Sequence, residues 1–275
     1  MTSNLQLDHT VINVRGDMDA AQVLFESLGF TVTPRGYHSL GSINHLMMFG
    51  TDYLELIGVP EGGETQRQDL LTAPVGINGL VFKSENVDDT MAHLTTQGLA
   101  GDPPKAFHRP VEVDGGSQDA SFRTVAARPG IFPGGRVYFC EHGTPELVWR
   151  PEWQSHTNGV TAMPEFVVVS EDPAASAENF AKLVGGTAAK ADNALSVATR
   201  DVILTVLSLA QYQARYGALA SPMNGRQSIF GAMVFKTGNL DAIRSAAASV
   251  ESAETPNSIA LRLSAYDSVL EFVTS

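Results

Sequence analysis

At 275 residues the chain is long enough for one large domain or two ordinary ones, and its 43% hydrophobic and 17% charged residues suit a globular fold with ample core. A net charge of −12, with no Lys/Arg cluster, argues against a nucleic-acid or anionic-membrane surface. Cys140 is the only cysteine and has no intrachain disulfide partner. The first residues lack the basic and apolar regions of a signal peptide, and no run of about 18 apolar residues occurs. A cytoplasmic protein with neither nucleic-acid nor membrane partner is expected.

Taken in order, 7–14 is a short strand-like run ended by Arg15-Gly16-Asp17. Asp17 is a candidate N-cap for a helix over 18–28, and Gly29 ends it. Strands follow from Phe30, over 43–49 and through Glu55. The order recurs: a strand over 76–83, a helix over 87–97 capped by Asn86 and stopped by Gly98, and a Gly- and Pro-rich stretch over 102–135 with a strand within 121–127. Strands over 136–140 and 146–149 complete the second unit. A third unit starts at Pro164 with a helix over about 174–183. A fourth starts at Ile229, with a helix over about 240–249 and a last strand through Glu271. The fold class predicted is α+β, four βαβββ modules in two pairs, with halves at 1–155 and 156–275.

One stretch is said twice. Tyr53-Leu54-Glu55-Leu56-Ile57-Gly58-Val59-Pro60-Glu61 is echoed ninety-one residues later by Thr144-Pro145-Glu146-Leu147-Val148-Trp149-Arg150-Pro151-Glu152, each closing on Pro-Glu. A carboxylate inside an apolar strand is costly unless paired, protonated or bound to a cation. Two at matching places suggest two halves of one site; the plainer reading is that each faces water from a half-exposed strand.

Modules opening on Leu7-Asp8-His9-Thr10-Val11-Ile12 and closing on Glu55, with Gly36-Tyr37-His38-Ser39-Leu40-Gly41-Ser42-Ile43-Asn44 between, resemble the vicinal oxygen chelate superfamily and its glyoxalase-like members. The resemblance implies that paired modules form a curved mixed sheet whose concave cup holds one divalent metal. Carried over, it makes His9 and Glu55 the ligands of the first module and Glu146 that of the second. The fourth place falls on Gly79, which cannot bind, and His142 is the nearest substitute. In the second half Glu165 and Glu271 take two of the four places while Leu204 and Ala232 take the others, so that half reads as structural.

One imidazole and two carboxylates suit Zn²⁺, Mn²⁺, Fe²⁺ or Ni²⁺ and leave open coordination positions. The implied activity is a metal-dependent isomerase, lyase or dioxygenase acting on a small oxygen-rich molecule, with Glu55 or Glu146 as the base. The alternative is metal-free sequestration of a small ligand, as in bleomycin-resistance-like relatives, which Gly79 favours. His38, Asn44 and Trp149 are candidate substrate contacts. Arg109, Arg123 and Arg128 flank the second-module insertion and could clamp an anion, although solvated loop arginines are commoner. The partners expected are a small-molecule substrate and a second copy of the chain; nothing in the sequence fixes the oligomer.

Overall fold

Strand β1 (Leu7–Arg15) is buried along almost its whole length because it lies at the centre of a sheet. The computed structural model describes residues 5–61, 67–191 and 193–274. The first module continues with α1 (Met18–Ser27), β2 (Gly36–Tyr37), β3 (Ile43–Met48), β4 (Tyr53–Gly58) and the short α2 (Gln68–Thr72). The second has β5 (Gly76–Lys83), α3 (Val87–Thr96), β6 (Lys105–Val113), β7 (Gly116–Ala126) and β8 (Arg136–His142). The third has β9 (Val160–Ser170), α4 (Pro173–Val184), β10 (Ala188–Ala191), β11 (Ala194–Ala198), β12 (Ile203–Leu207) and α5 (Leu209–Tyr216). The fourth has β13 (Ser228–Thr237), α6 (Leu240–Ala246), β14 (Glu251–Thr255), β15 (Ser258–Leu263) and β16 (Ser268–Val273).

These strands form two eight-stranded mixed sheets, ordered β2-β3-β4-β1-β5-β8-β7-β6 and β10-β11-β12-β9-β13-β16-β15-β14. In each, a central antiparallel pair joins two modules, and each central strand runs parallel to the last strand of its own module. This is the α+β, four-module cup architecture. The edges of the first sheet approach one another, Ser39 N donating to His108 O at 2.9 Å, so that cup is nearly closed. No helix among the described residues is long and apolar enough to cross a membrane.

Strand alternation sorts the core. Ile12, Leu54, Leu80 and Phe82 face the helices and share one core with Phe166, Leu204, Met233 and Phe235 of the second sheet. Val11, Tyr53, Ile57 and Val81 point the other way, into the first cup. The helix starts are locally encoded: Asn86 accepts from the N–H groups of Asp88 and Asp89, and Asp172 accepts from Ala175 before Pro173 fixes the first turn of α4.

Three elements differ from expectation. No strand starts at Phe30: the Thr31 N–H goes to His156 Nδ1 at 2.9 Å, and Pro34 has no N–H to give a ladder. Residues 146–149 are not a strand either. Pro145 opens a 3₁₀ turn over Pro145–Leu147, because its fixed φ suits the first position of a helical turn, and β8 has already ended at His142. Finally, the 102–135 stretch holds a long ribbon, β6 against β7, around the tight turn at Asp114-Gly115.

The second cup is filled from within. Helix α5 starts on a capping box, Ser208 with Gln211, and lays Tyr212 and Tyr216 into the concave face. Tyr212 donates to Gly231 O at 2.8 Å. Arg215 then reaches both acids of this half, at 2.7 and 2.9 Å to Glu165 and 2.8 Å to Glu271, while Tyr216 donates to Glu271 at 2.8 Å. A guanidinium thus sits between the two carboxylates that the resemblance aligns with metal ligands. Register also moves one assignment: Glu165 pairs with Ile203, so Thr205, not the core residue Leu204, matches Glu55.

Candidate active site

The first cup holds a cavity of about 960 Å³ lined by His9, His38, Asn44, Tyr53, Glu55 and Tyr138 among others. His9 and Glu55 are 4% and 5% exposed, and His9 Nε2 lies 3.6 Å from Glu55 Oε2. The sequence brings both there simply: His9 pairs with Tyr53 across parallel strands, and Glu55 stands two residues further along the same face.

Each has a partner that aims it. A bulge in β1 lies between Leu7 and His9, so Asp8 also turns toward the concave side. His9 Nδ1 is 2.5 Å from Asp8 Oδ1, and His142 Nε2 is 3.0 Å from Asp8 Oδ2. Burial raises the Asp8 carboxyl, but the charges and hydrogen bonds of His142 and His9 outweigh it and hold it well below the usual carboxylate range. An ionised carboxylate only accepts, so both imidazoles donate to it and His9 Nε2 is left facing the cavity. Glu55 is held by Asn44, whose Nδ2 donates to Oε1 at 2.7 Å, leaving Oε2 toward His9. His9 stacks on Tyr53 with ring centroids 4.4 Å apart.

Register also shows what stands opposite. Gly79 pairs with Arg136 as His9 pairs with Tyr53, so Tyr138 occupies in the second module the place of Glu55. Its hydroxyl is 3.3 Å from His9 Nε2, and burial foremost, then the charge of Glu55, pushes its ionisation far up, so it acts as a neutral donor. At Gly79 a Cβ would lie 2.7 Å from Val11 Cγ2, so Val11 fills the space where a fourth ligand would stand.

Glu146, expected as a ligand on a closing strand, is exposed on the 3₁₀ turn and does not line the cavity. His142 lies behind His9, bonded to Asp8, and forms with Asp8 and Cys140 a triad whose donor atoms are within 4.8 Å of one another. This cluster has the donor types of a metal site, although burial pushes the Cys140 thiol well up. His38 lines the cavity and contacts Ser42 Oγ at 2.8 Å; burial foremost lowers its pKa to about 4. Trp149 packs outside the lining, edge-on to Tyr53 and His142, with Lys83 over its ring. Arg123 pairs with Asp88 away from the cavity, and Arg128 lines the rim. Arg109, on β6, is buried in the wall. The Asp-Gly turn with alternating Phe107, Arg109 and Val111 is the signal that could have placed it on a strand.

Residues 7–184 match the family profile described as a glyoxalase-like domain. The chain belongs to the glyoxalase-like domain family, within the vicinal oxygen chelate superfamily. The matched span takes in the whole first sheet of this glyoxalase-like protein and the first strand and helix of its third module. No curated protein matches it in sequence. Among solved structures it is similar to a hypothetical protein from Staphylococcus aureus, with a TM-score of 0.69 at 11% identity over 98% of this chain and 100% of that one. It is also similar to a triple mutant of 4-hydroxymandelate synthase from Streptomyces coelicolor, with a TM-score of 0.59 at 13% identity over 99% and 93% of the two chains. A fusion of a xylose isomerase-like TIM barrel with 4-hydroxyphenylpyruvate dioxygenase gives 0.59 at 12% identity, covering 100% of this chain and 50% of that one. At these identities the likeness is one of fold.

Proposed function

We propose that the first cup is the active site of a glyoxalase-like enzyme that binds a small oxygen-rich molecule beside a divalent cation held by His9 and Glu55. The observation that carries this reading is the pair itself: His9 Nε2 and Glu55 Oε2 converge at 3.6 Å on the cavity wall. Asp8 behind the imidazole and Asn44 behind the carboxylate are the outer partners that orient metal ligands and tune their basicity. One imidazole and one carboxylate are donor types that suit Zn²⁺, Mn²⁺, Fe²⁺ or Ni²⁺, and they would supply two protein ligands with the remaining positions left to substrate and water. When bound, such a cation supplies Lewis-acid stabilisation of negative charge on adjacent substrate oxygens. The chain's own residues do the rest: Asn44 fixes the rotamer of Glu55, Glu55 accepts a proton, and the Tyr138 hydroxyl donates a hydrogen bond. Isomerase, lyase and dioxygenase chemistry are all open to such a site, since one fold hosts several reactions.

A second reading is metal-free sequestration, favoured by Gly79 and Tyr138 at the two remaining ligand places. Metal per chain, measured after purification without chelators, separates the two. The expected result is a bound divalent ion in the parent and in Glu146→Gln, with loss in His9→Gln and Glu55→Gln. A parent that takes up no ion on titration with the four metals supports sequestration instead. Loss in His142→Gln with retention in Glu55→Gln moves the ion to the Asp8–Cys140–His142 cluster.

A further inference from the structure

The first cup is electropositive inside an acidic protein. The lining has five Arg or Lys side chains against three carboxylates, although the whole chain carries −12. Most of these charges are accounted for locally. Asp69 binds Arg67 at 2.8 Å and Arg136 at 3.4 Å, and Asp102 lies 3.4 Å from Lys105 at the rim. Arg109 is different. It is 4% exposed, makes no ion pair among the described residues, and its Nη2 is buried with no hydrogen-bond partner. A guanidinium cannot shed its proton to escape burial, and an uncompensated buried charge is strongly unfavourable. Such a residue is retained against its cost to stability when something outside the chain completes it.

The surroundings say what that is. Arg109 comes inward from β6 beside Phe107, which stacks on Phe122 at 5.1 Å. Gly36 faces it, leaving the room that the Arg109 stem and the Asn44 amide occupy; a Cβ there would overlap Asn44 Oδ1. That Asn44 oxygen is the second buried polar atom here without a partner, its amide nitrogen being committed to Glu55. An unpaired fork of donors and stacked phenyl rings therefore share one wall. We infer that Arg109 is the specificity-determining residue of the cup and that the ligand is a monoanionic carboxylate on an apolar body. The guanidinium fork takes the carboxylate in two parallel hydrogen bonds, and the phenyl rings cover the body. Among the described residues Arg109 is the buried cation of the lining without an ion pair, Arg128 being exposed at the rim, and one such charge matches one negative charge, which favours a carboxylate over a phosphate dianion.

This inference rests on reading the cup as the substrate site, but it needs no cation, so its test is run in chelator. Benzoate, benzamide and inorganic phosphate are titrated into the full chain by calorimetry, and the melting temperature is followed with each. The expected result is that the parent binds benzoate in preference to benzamide and phosphate. Arg109→Met should weaken benzoate at least roughly tenfold while leaving benzamide unmoved. Without ligand, Arg109→Met should melt no lower than the parent, since it replaces an unpaired buried charge by an apolar chain of similar length. A merely structural arginine would give the reverse. Should Arg109→Met fail to fold, Arg109→Lys decides: it keeps the charge, loses the fork, and should bind benzoate several-fold more weakly than the parent. A parent indifferent to benzoate, a preference for phosphate, or full benzoate affinity in the Arg109 variant overturns the inference. Benzoate binding lost with Arg109 in a protein that takes up no metal would keep it and defeat the metal-dependent proposal.

Discussion

Asp8 Oδ1 lies 2.5 Å from His9 Nδ1, and its other oxygen lies 3.0 Å from His142 Nε2. One fully buried carboxylate thus fixes the tautomers of two imidazoles, and only His9 has its free nitrogen turned to the cavity. Asp8→Asn keeps the shape but presents His142 with a donor and His9 with a neutral acceptor. Cation affinity at His9 should fall roughly 10–100-fold, the usual effect of losing such an outer partner. Calorimetric titration of the divalent metals into parent and variant reads this out, with far-UV circular dichroism confirming the fold. Equal affinities would show that Asp8 serves packing alone.

Gly79 offers a second check. Any side chain there meets Val11, with its Cγ2 at 2.7 Å from the new Cβ. Gly79→Ala should destabilise by about 1–3 kcal/mol, the common result of overpacking, measured by urea denaturation. Gly79→His combined with Val11→Ala relieves the clash and adds an imidazole where the resemblance expects one. The double variant should bind divalent metal more tightly than the parent; unchanged affinity would show that this place does not face the ion.

These residues show what was legible from the sequence. His9 and Glu55 could be named because the resemblance aligns them with the ligands of a first module, and the β1–β4 register then sets them on one face. Glu146 could not be placed by its echo of Glu55, since Pro145 turns the backbone into a 3₁₀ turn and removes it from the sheet. Tyr138 at the matching place became visible only through strand register. The β6–β7 ribbon and α5 both had local signals, the Asp114-Gly115 turn and the Ser208–Gln211 capping box. Neither signal tells that Arg109 is buried without a partner, or that Arg215 finds two acids, because those are long-range facts.

Asp52 is a pH-sensitive contact between the halves. It accepts from Met163 N at 3.1 Å, and burial foremost, then repulsion from Asp201, raises its carboxyl to about 7. The folded state therefore holds this proton more tightly than the unfolded chain. Its contribution is full below the ordinary aspartate range and is lost as pH rises through about 7. Between about pH 4 and 7 the parent should lose stability on the order of 4 kcal/mol from this group at most. Asp52→Asn keeps the acceptor and removes the titration, so its stability should vary less over that range. Parallel denaturation curves for parent and variant from pH 5 to 8 would refute the assignment.

The last prediction concerns the second cup, where Arg215 bridges Glu165 and Glu271 at 2.7–2.9 Å. Arg215→Met leaves two half-buried carboxylates facing each other without their counter-charge. A fully buried pair broken this way costs about 3–5 kcal/mol, and partial solvent access reduces that here to roughly 2 kcal/mol. Burial alone would raise the Glu165 carboxyl, but the Arg215 hydrogen bonds and charge bring it below the usual glutamate range. That part of the stability is present above the ordinary glutamate pKa and lost as pH falls through the depressed one, so the deficit of Arg215→Met should shrink in acid. Adding Glu165→Gln and Glu271→Gln to Arg215→Met removes the repulsion and should restore most of the loss at neutral pH. Urea denaturation of the single and triple variants at pH 7 and pH 4 decides it. A single variant as stable as the parent at pH 7 would show that the guanidinium contributes no net stabilisation where it sits between the two acids.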